Sequence, residues 1–261
     1  METWRSAITN ADGNRIIVRG HDLVSLMQHG TYADVVGLLL GGHKPDEGER
    51  RLIDAILIAI SDHGAGAPSA ATARMAATGN RQAPEAAVAA GILAIGDAHA
   101  GAGMACMVII QGALERASRE SLSLDDVARA TAIEARDSGR RLPGLGHRIY
   151  QEDPRTTALF VIAQQHGKAG QGVAFMRALE SVVARTIKPL PVNVDGAIAA
   201  VLYDLGYPAE TAKLIFIVGR TAGLAAHVME EYTRERPMRV RIPVAYDGPA
   251  EVRAPVEDMP R

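Results

Sequence analysis

Beyond the first two dozen residues, apolar positions recur at the three- and four-residue spacing of helices, and little of the chain alternates as strands do. The start is the exception. Trp4 to Ile8 and Arg15 to Val18 read as two short strands around the turn Asn10-Ala11-Asp12-Gly13-Asn14. From Asp22 onward the pattern predicts helices. Asp22 can cap a first helix through Gln28, and Thr31 can cap YADVVGLLL, which stops at Gly41-Gly42. Pro45 and Glu47 open a longer helix, GERRLIDAILIAISD, whose centre is apolar nearly all round and is therefore expected inside. Two stretches rich in Ala and Gly, GAGAPSAATARMAATG and PEAAVAAGILAIGDAHAGAGMACMVIIQGAL, predict helices whose backbones approach closely. Glycines between Gly96 and Gly101 predict a break there, with His99 near the start of the helix that follows. Ser123-Leu124-Asp125-Asp126 resembles a capping box opening a helix to about Ser138. Helices are expected again from about Thr156 to His166 and from Gly172 to Ile187. Lys188-Pro189-Leu190-Pro191 then stops the chain. An apolar helix, AIAAVLYDLG, and a last long one opened by Pro208-Ala209-Glu210 complete the series, and after Arg236-Pro237 the chain reads as extended. The expected fold is all-α, with a short N-terminal β-hairpin and an extended C-terminal tail.

Composition narrows the function classes. The chain has 261 residues, 22% of them charged, and a net charge of −2. That balance argues against a nucleic-acid partner, which calls for a basic stripe. A single cysteine, Cys106, leaves no internal disulfide and makes the cytoplasm the expected location. The start carries no apolar run of a signal peptide, and the longest apolar segment noted, Leu52 to Ile60, is too short for a bilayer. No membrane association is expected. Neither a P-loop, a Rossmann glycine pattern nor zinc-type cysteine spacing is present. Four lysines stand against 24 arginines. Arginine binds carboxylates with two parallel bonds and would suit a polyacid substrate, although genome composition produces the same skew.

The segment with the densest chemistry is LPGLGHRIYQEDPR, Leu142 to Arg155. Gly144 and Gly146 let backbone lie close to a ligand, His147 follows at once, and Pro154 suits the first turn of the next helix, which Arg155 would begin. An anion-handling, proton-moving loop and a plain glycine-rich connector both fit this spacing. Ser61-Asp62-His63 closes a buried helix, and His63 and His99 are each compatible with a hydrogen-bonded core or helix-end histidine. Asp195 sits where a loop becomes an apolar helix. It reads as an N-cap or, if desolvated, as a general base of raised pKa. Arg220 lies in an apolar stretch and needs an anionic partner, either structural or a substrate.

Taken in order, Asp62-His63-Gly64, His99, Pro143-Gly144-Leu145-Gly146-His147-Arg148, Asp153-Pro154-Arg155, Asn193-Val194-Asp195, Gly219-Arg220 and Glu235-Arg236-Pro237 resemble the citrate synthase superfamily. The likeness is to its short branch, stand-alone citryl-CoA lyase and the C-terminal citryl-CoA lyase module of ATP-citrate lyase, and it runs over nearly the whole chain. The resemblance implies a nearly all-helical fold, with a small lobe within about residues 120–217 and a large lobe from the remainder. It also implies a homodimer or homotetramer in which Arg236 reaches the neighbouring active site. His63, His147, Arg155 and Arg220 match residues that hold the carboxylates and the hydroxyl or keto oxygen of citrate or oxaloacetate. Asp195 matches the carboxylate that exchanges a proton with the acetyl carbon, and Leu142 to Gly146 matches the segment that holds coenzyme A.

The implied reaction is a retro-aldol-type cleavage of citryl-CoA, or a close analogue, to acetyl-CoA and oxaloacetate. His147, with His63, would take the hydroxyl proton, His99 would donate to the thioester oxygen, and protonated Asp195 would deliver its proton to carbon. No permanently bound cofactor and no metal is expected, with coenzyme A entering as part of the substrate. The alternatives are a citrate or 2-methylcitrate synthase-type condensing enzyme and a catalytically silent CoA-binding subunit. Chain length favours the lyase, since citrate synthases carry a longer helical N-terminal region. His99 pulls the other way. Synthases have a His-Gly pair here, this chain has His99-Ala100, and the animal ATP-citrate lyase module lacks the histidine.

Overall fold

The computed structural model describes residues 3–146 and 152–249. Three short strands come first: β1 (Thr9–Asp12), β2 (Arg15–Val18) and β3 (His21–Asp22), antiparallel in the order β1-β2-β3. The helices follow as α1 (Leu23–His29), α2 (Tyr32–Gly41), α3 (Glu47–Ser61), α4 (Pro68–Gly79), α5 (Pro84–Leu93) and α6 (Ala102–Glu120). Then come α7 (Leu124–Asp137), α8 (Pro154–Gln165), α9 (Gln171–Thr186), α10 (Val194–Asp204) and α11 (Glu210–Arg234). The expected all-α class with an N-terminal hairpin holds.

The hairpin differs in register from the expectation. Asp12 pairs with Arg15 across a tight two-residue turn, so the first strand is Thr9–Asp12 and Trp4 to Ile8 lies outside the sheet. Trp4 is 98% exposed and has no apolar surface to cover it, which leaves that segment nothing to pair for.

Helix starts follow local chemistry. Asp22, Thr31, Asp46, Ser123, Asp153 and Asn193 each accept a hydrogen bond from the first turn of the helix they precede. At Thr31 and Asp46 the bond is reciprocated, by Asp34 and Glu49, as full capping boxes. α3 is buried on one face through Leu52, Ile53, Ile56 and Ile60. Its other side, where Ile58 is 64% exposed, faces outward, so it is less enclosed than its sequence implies.

α10 is the core of the molecule. Every residue from Ala197 to Leu202 is at most 2% exposed, with α6, α8 and α9 packed around it. A second, alanine-lined cluster joins α4 and α5 to the later turns of α11 through Ala70, Ala73, Ala77, Ala87, Leu224 and Val228. α11 thus spans both clusters. By length and composition it is apolar enough to cross a bilayer, a feature the interruption at Arg220 conceals in the sequence. Here it is a packing helix that buries Arg220 and Glu231 along with its apolar face.

Candidate active site

The start of α10 is locked to the glycine loop. Gly146 N–H donates to Pro191 O at 2.7 Å, Asn193 N–H to Gly144 O at 3.0 Å, and Asn193 Nδ2 to Gly146 O at 2.8 Å. Leu145 and Val192 form an antiparallel bridge between the two segments. The approach is closest between two glycines. A Cβ on Gly196 would lie 2.3 Å from Gly144 O, and one on Gly144 would lie 2.6 Å from Cys106 Sγ and 2.8 Å from Gly196 Cα. Only residues without a side chain bring these backbones together. Cys106 sits beneath as an inert buried thiol, its pKa pushed up to about 12 by burial and then by Asp195.

The cap of α10 is Asn193, whose Oδ1 accepts from Gly196 N–H at 3.1 Å. Asp195 therefore does not spend its carboxylate on capping. Burial raises the Asp195 pKa and Asp153 reinforces the rise, against the pull of Arg155 and Arg220.

Asp153 is a hub that the sequence reading missed. It is fully buried, caps α8 through Arg155 N–H, and takes two bonds from the Arg155 guanidinium at 3.0 and 2.8 Å. Its Oδ2 also accepts from Val194 N–H at 3.2 Å, tying Arg155 to the residue beside Asp195. One guanidinium edge of Arg155 is held by this carboxylate, and Nη1 makes only a 3.5 Å contact to Ala59 O.

Arg220, 2% exposed on α11, donates from Nε to Ile60 O at 2.8 Å and lies over the Phe216 ring at 5.0 Å. Its buried Nη1 has no hydrogen-bond partner among the described residues. Burial lowers its pKa, Asp62 and Asp195 act to restore it, and Arg155 opposes them. A buried guanidinium with an unpaired N–H group is an anion receptor. The turn after α3 lies close by. Asp62 accepts from Gly64 N–H at 2.9 Å and meets His227 Nε2 at 2.9 Å, which fixes the segment carrying the exposed His63.

His99 lies in the connection before α6, as its glycines predict. Its Nε2 is 2.9 Å from Ser69 Oγ and 3.4 Å from Ser69 N, at the first turn of α4. The Ser69 backbone can only donate, so Nε2 is the acceptor and a neutral His99 carries its proton on Nδ1. Burial lowers the His99 pKa, and Arg220 and then His63 lower it further, which favours the neutral imidazole. Phe216 stands edge-on to this ring at 6.4 Å and so touches both His99 and Arg220. Ala100 adopts φ +66. An L side chain there is strained, and Ala100→Gly is expected to stabilise the protein by about 1 kcal/mol, read as an upward shift of the urea midpoint.

Asp62, His63, His99, Arg155, Asp195 and Arg220 therefore share one electrostatic neighbourhood, as their mutual influence shows. His147 lies outside the described residues. Arg236 is exposed, beyond the end of α11. Beside the site, a cleft of about 910 Å3 is lined by Leu142 to Leu145 and Asn193, with Arg136, Arg140, Arg141 and Lys188 on its walls. An arginine paired on one edge, a buried arginine with an unpaired N–H, a buried carboxyl of raised pKa and an imidazole of lowered pKa can bind a polyacid, move a proton to or from carbon and stabilise an oxyanion.

The chain matches the citrate synthase C-terminal domain family over residues 40–241. It is similar to the structure of citryl-CoA lyase from Hydrogenobacter thermophilus, with 35% identity and a TM-score of 0.88 over 97% of this chain and 98% of that one. The ATP citrate lyase of Methanothrix soehngenii, solved with citrate and coenzyme A, shares the fold at 21% identity and a TM-score of 0.81, over 96% of this chain and 42% of that one. The citrate synthase of Haloferax volcanii is 28% identical over 227 residues, 85% of this chain. The chain spans 57% of that relative's length. From its ordered motifs and its fold to this alignment, the chain belongs to the citrate synthase family.

Proposed function

We propose that the protein cleaves citryl-CoA, or a close 3-hydroxyacyl-CoA analogue, to acetyl-CoA and oxaloacetate. The observation that carries this reading is the 35% identity to a citryl-CoA lyase over 97% of this chain and 98% of that one, against 28–32% to citrate synthases matched by sequence, of whose length the chain spans at most 62%.

Arg220 and the free edge of Arg155, with Arg236 from a second subunit, hold the carboxylates of the oxaloacetate half. His147, which lies outside the described residues, takes the proton of the tertiary hydroxyl with help from His63. The C–O bond becomes a carbonyl as the carbon–carbon bond breaks, and the electron pair moves to the thioester as an enolate. The Nδ1–H of neutral His99 donates to that thioester oxygen. Protonated Asp195 delivers its proton to carbon, giving the methyl of acetyl-CoA. The cleft beside Leu142 to Leu145 receives coenzyme A, its arginines and lysine facing the phosphates.

The second reading is a condensing enzyme of the citrate or 2-methylcitrate synthase type. His99 favours it, because synthases carry this histidine. The two separate in one assay, in which pure protein is incubated with citryl-CoA and the products are followed. Acetyl-CoA and oxaloacetate are the expected result. Citrate and free CoA would replace the lyase by the synthase, and untouched citryl-CoA would sink both.

A further inference from the structure

The last turn of α11 is held by three arginines that contribute nothing to the site described above. Arg81 donates to three carbonyls at the helix end, Glu231 O at 2.9 Å, Tyr232 O at 2.7 Å and Glu235 O at 3.1 Å. A cation there adds donors to the carbonyls at the helix end and opposes the negative end of its dipole. Glu231 is completely buried, and its carboxylate receives Arg239 at 2.8 and 2.7 Å and Arg74 at 3.0 Å. Arg239 also reaches Glu235 at 3.2 Å. The hydrogen bond from Arg239 holds the Glu231 carboxyl below the usual carboxylate range, and Arg74 adds to the effect.

Between the two clamped points, Glu235 and Arg239, the chain reverses. Met238 adopts φ +54 and donates its N–H to Thr78 O at 3.0 Å, at the end of α4. A surface strap of four or five residues does not ordinarily merit a buried carboxylate with two arginines, since an ion pair in the interior gains little over apolar packing. The strap contains Arg236, which is exposed and makes no hydrogen bond or ion pair among the described residues.

We infer that Arg239, acting through Glu231, is a positioning residue for Arg236: the clamp sets the course of residues 235–239 so that Arg236 is presented, unpaired, to the oxaloacetate carboxylate in the site of a second copy of this chain. This inference rests on the functional reading above, in which Arg236 enters a neighbouring site. The clamp acts on the backbone that carries the arginine, and the arginine keeps its charge for the ligand. Holding one long side chain's origin in place lowers the entropy lost when it engages.

The test uses the full-length protein and oxaloacetate binding by calorimetry, a readout independent of the direction of the reaction. Arg236→Ala should weaken binding by about 10–100-fold, the worth of a charge-assisted hydrogen bond or two. Arg239→Ala should weaken it by several-fold or more, and Arg239→Lys, which keeps the charge but not the paired bonds, should fall between parent and alanine. In the double variant Arg236→Ala/Arg239→Ala, affinity should equal that of Arg236→Ala alone, because nothing remains to be presented. A role in stability alone predicts a loss of melting temperature and multiplicative effects on affinity. Either multiplicative effects or unchanged binding by Arg239→Ala overturns the positioning role while leaving Arg236 in the site. Normal binding by Arg236→Ala, or no binding by the parent, overturns the functional reading and the inference with it. If Arg239→Ala fails to fold, the same comparison is made with Arg239→Lys.

Discussion

Replacing Asp195 by asparagine is expected to lower citryl-CoA turnover by about 10²–10⁴-fold, the usual contribution of a positioned general acid. The amide keeps the shape, and Asn193 keeps the cap of α10, so the fold should be untouched. Stability gives a second, opposite signal. Burial raises the Asp195 pKa in the folded chain. The folded state thus holds its proton more firmly than the unfolded state does. The stability this provides is complete below the unfolded carboxyl pKa and is lost as pH rises through the raised folded value. Above that value the parent carries a desolvated carboxylate that the variant lacks. Asp195→Asn should therefore melt higher than the parent at neutral pH, and the difference should shrink as the solution is acidified. The parent's activity should fall as pH climbs through the same folded value, because the acid is then spent. Near-normal turnover by the variant would rule out Asp195 as the proton donor to carbon.

The second large effect is expected at Arg220. Arg220→Met keeps much of the volume under Phe216 but removes the receptor for a carboxylate. Truncating one side of a buried charge pair costs about 2–5 kcal/mol, so kcat/KM should fall by about 30- to 5,000-fold. Oxaloacetate should raise the melting temperature of the parent and not that of Arg220→Met, since only a ligand that binds the folded state stabilises it. An unchanged thermal shift in the variant would mean that the unpaired Nη1 is not where the acid binds. The unliganded protein tolerates that orphaned group at a cost of about 1–3 kcal/mol. Such a cost is understandable where binding removes it.

Much of the helical frame was legible because it is written locally. Thr31 and Ser123 announce helix starts with their own side chains, and the prolines at 189 and 191 end the run before α10. The order of motifs likewise brought His63, His99, Arg155, Asp195 and Arg220 to one place. What was illegible depends on contacts across the chain. Asp153 looks like a helix cap in the sequence, and nothing there shows that it also grips Val194, 41 residues on. Ser69 becomes the partner of His99 only when α4 is packed beside the loop before α6. Phe216 carried one usable signal, its position one helical turn before Arg220. Asp195 reads in the sequence as the cap of α10 or as a base, whereas the geometry gives the cap to Asn193, and that choice frees the carboxylate. The strand expected at Trp4 to Ile8 failed for the converse reason: β-type residues form a strand only where a partner and a covering surface exist.

The contact between Gly144 and Gly196 has a practical meaning for anyone wishing to change what this enzyme accepts. Loop and acid are fastened backbone to backbone, so they behave as one rigid jaw. Inserting into the loop, or giving either glycine a side chain, would shift Asp195, the proposed proton donor, together with the loop. On the proposed reading, redesign of acyl preference is therefore better directed away from both glycines than at them.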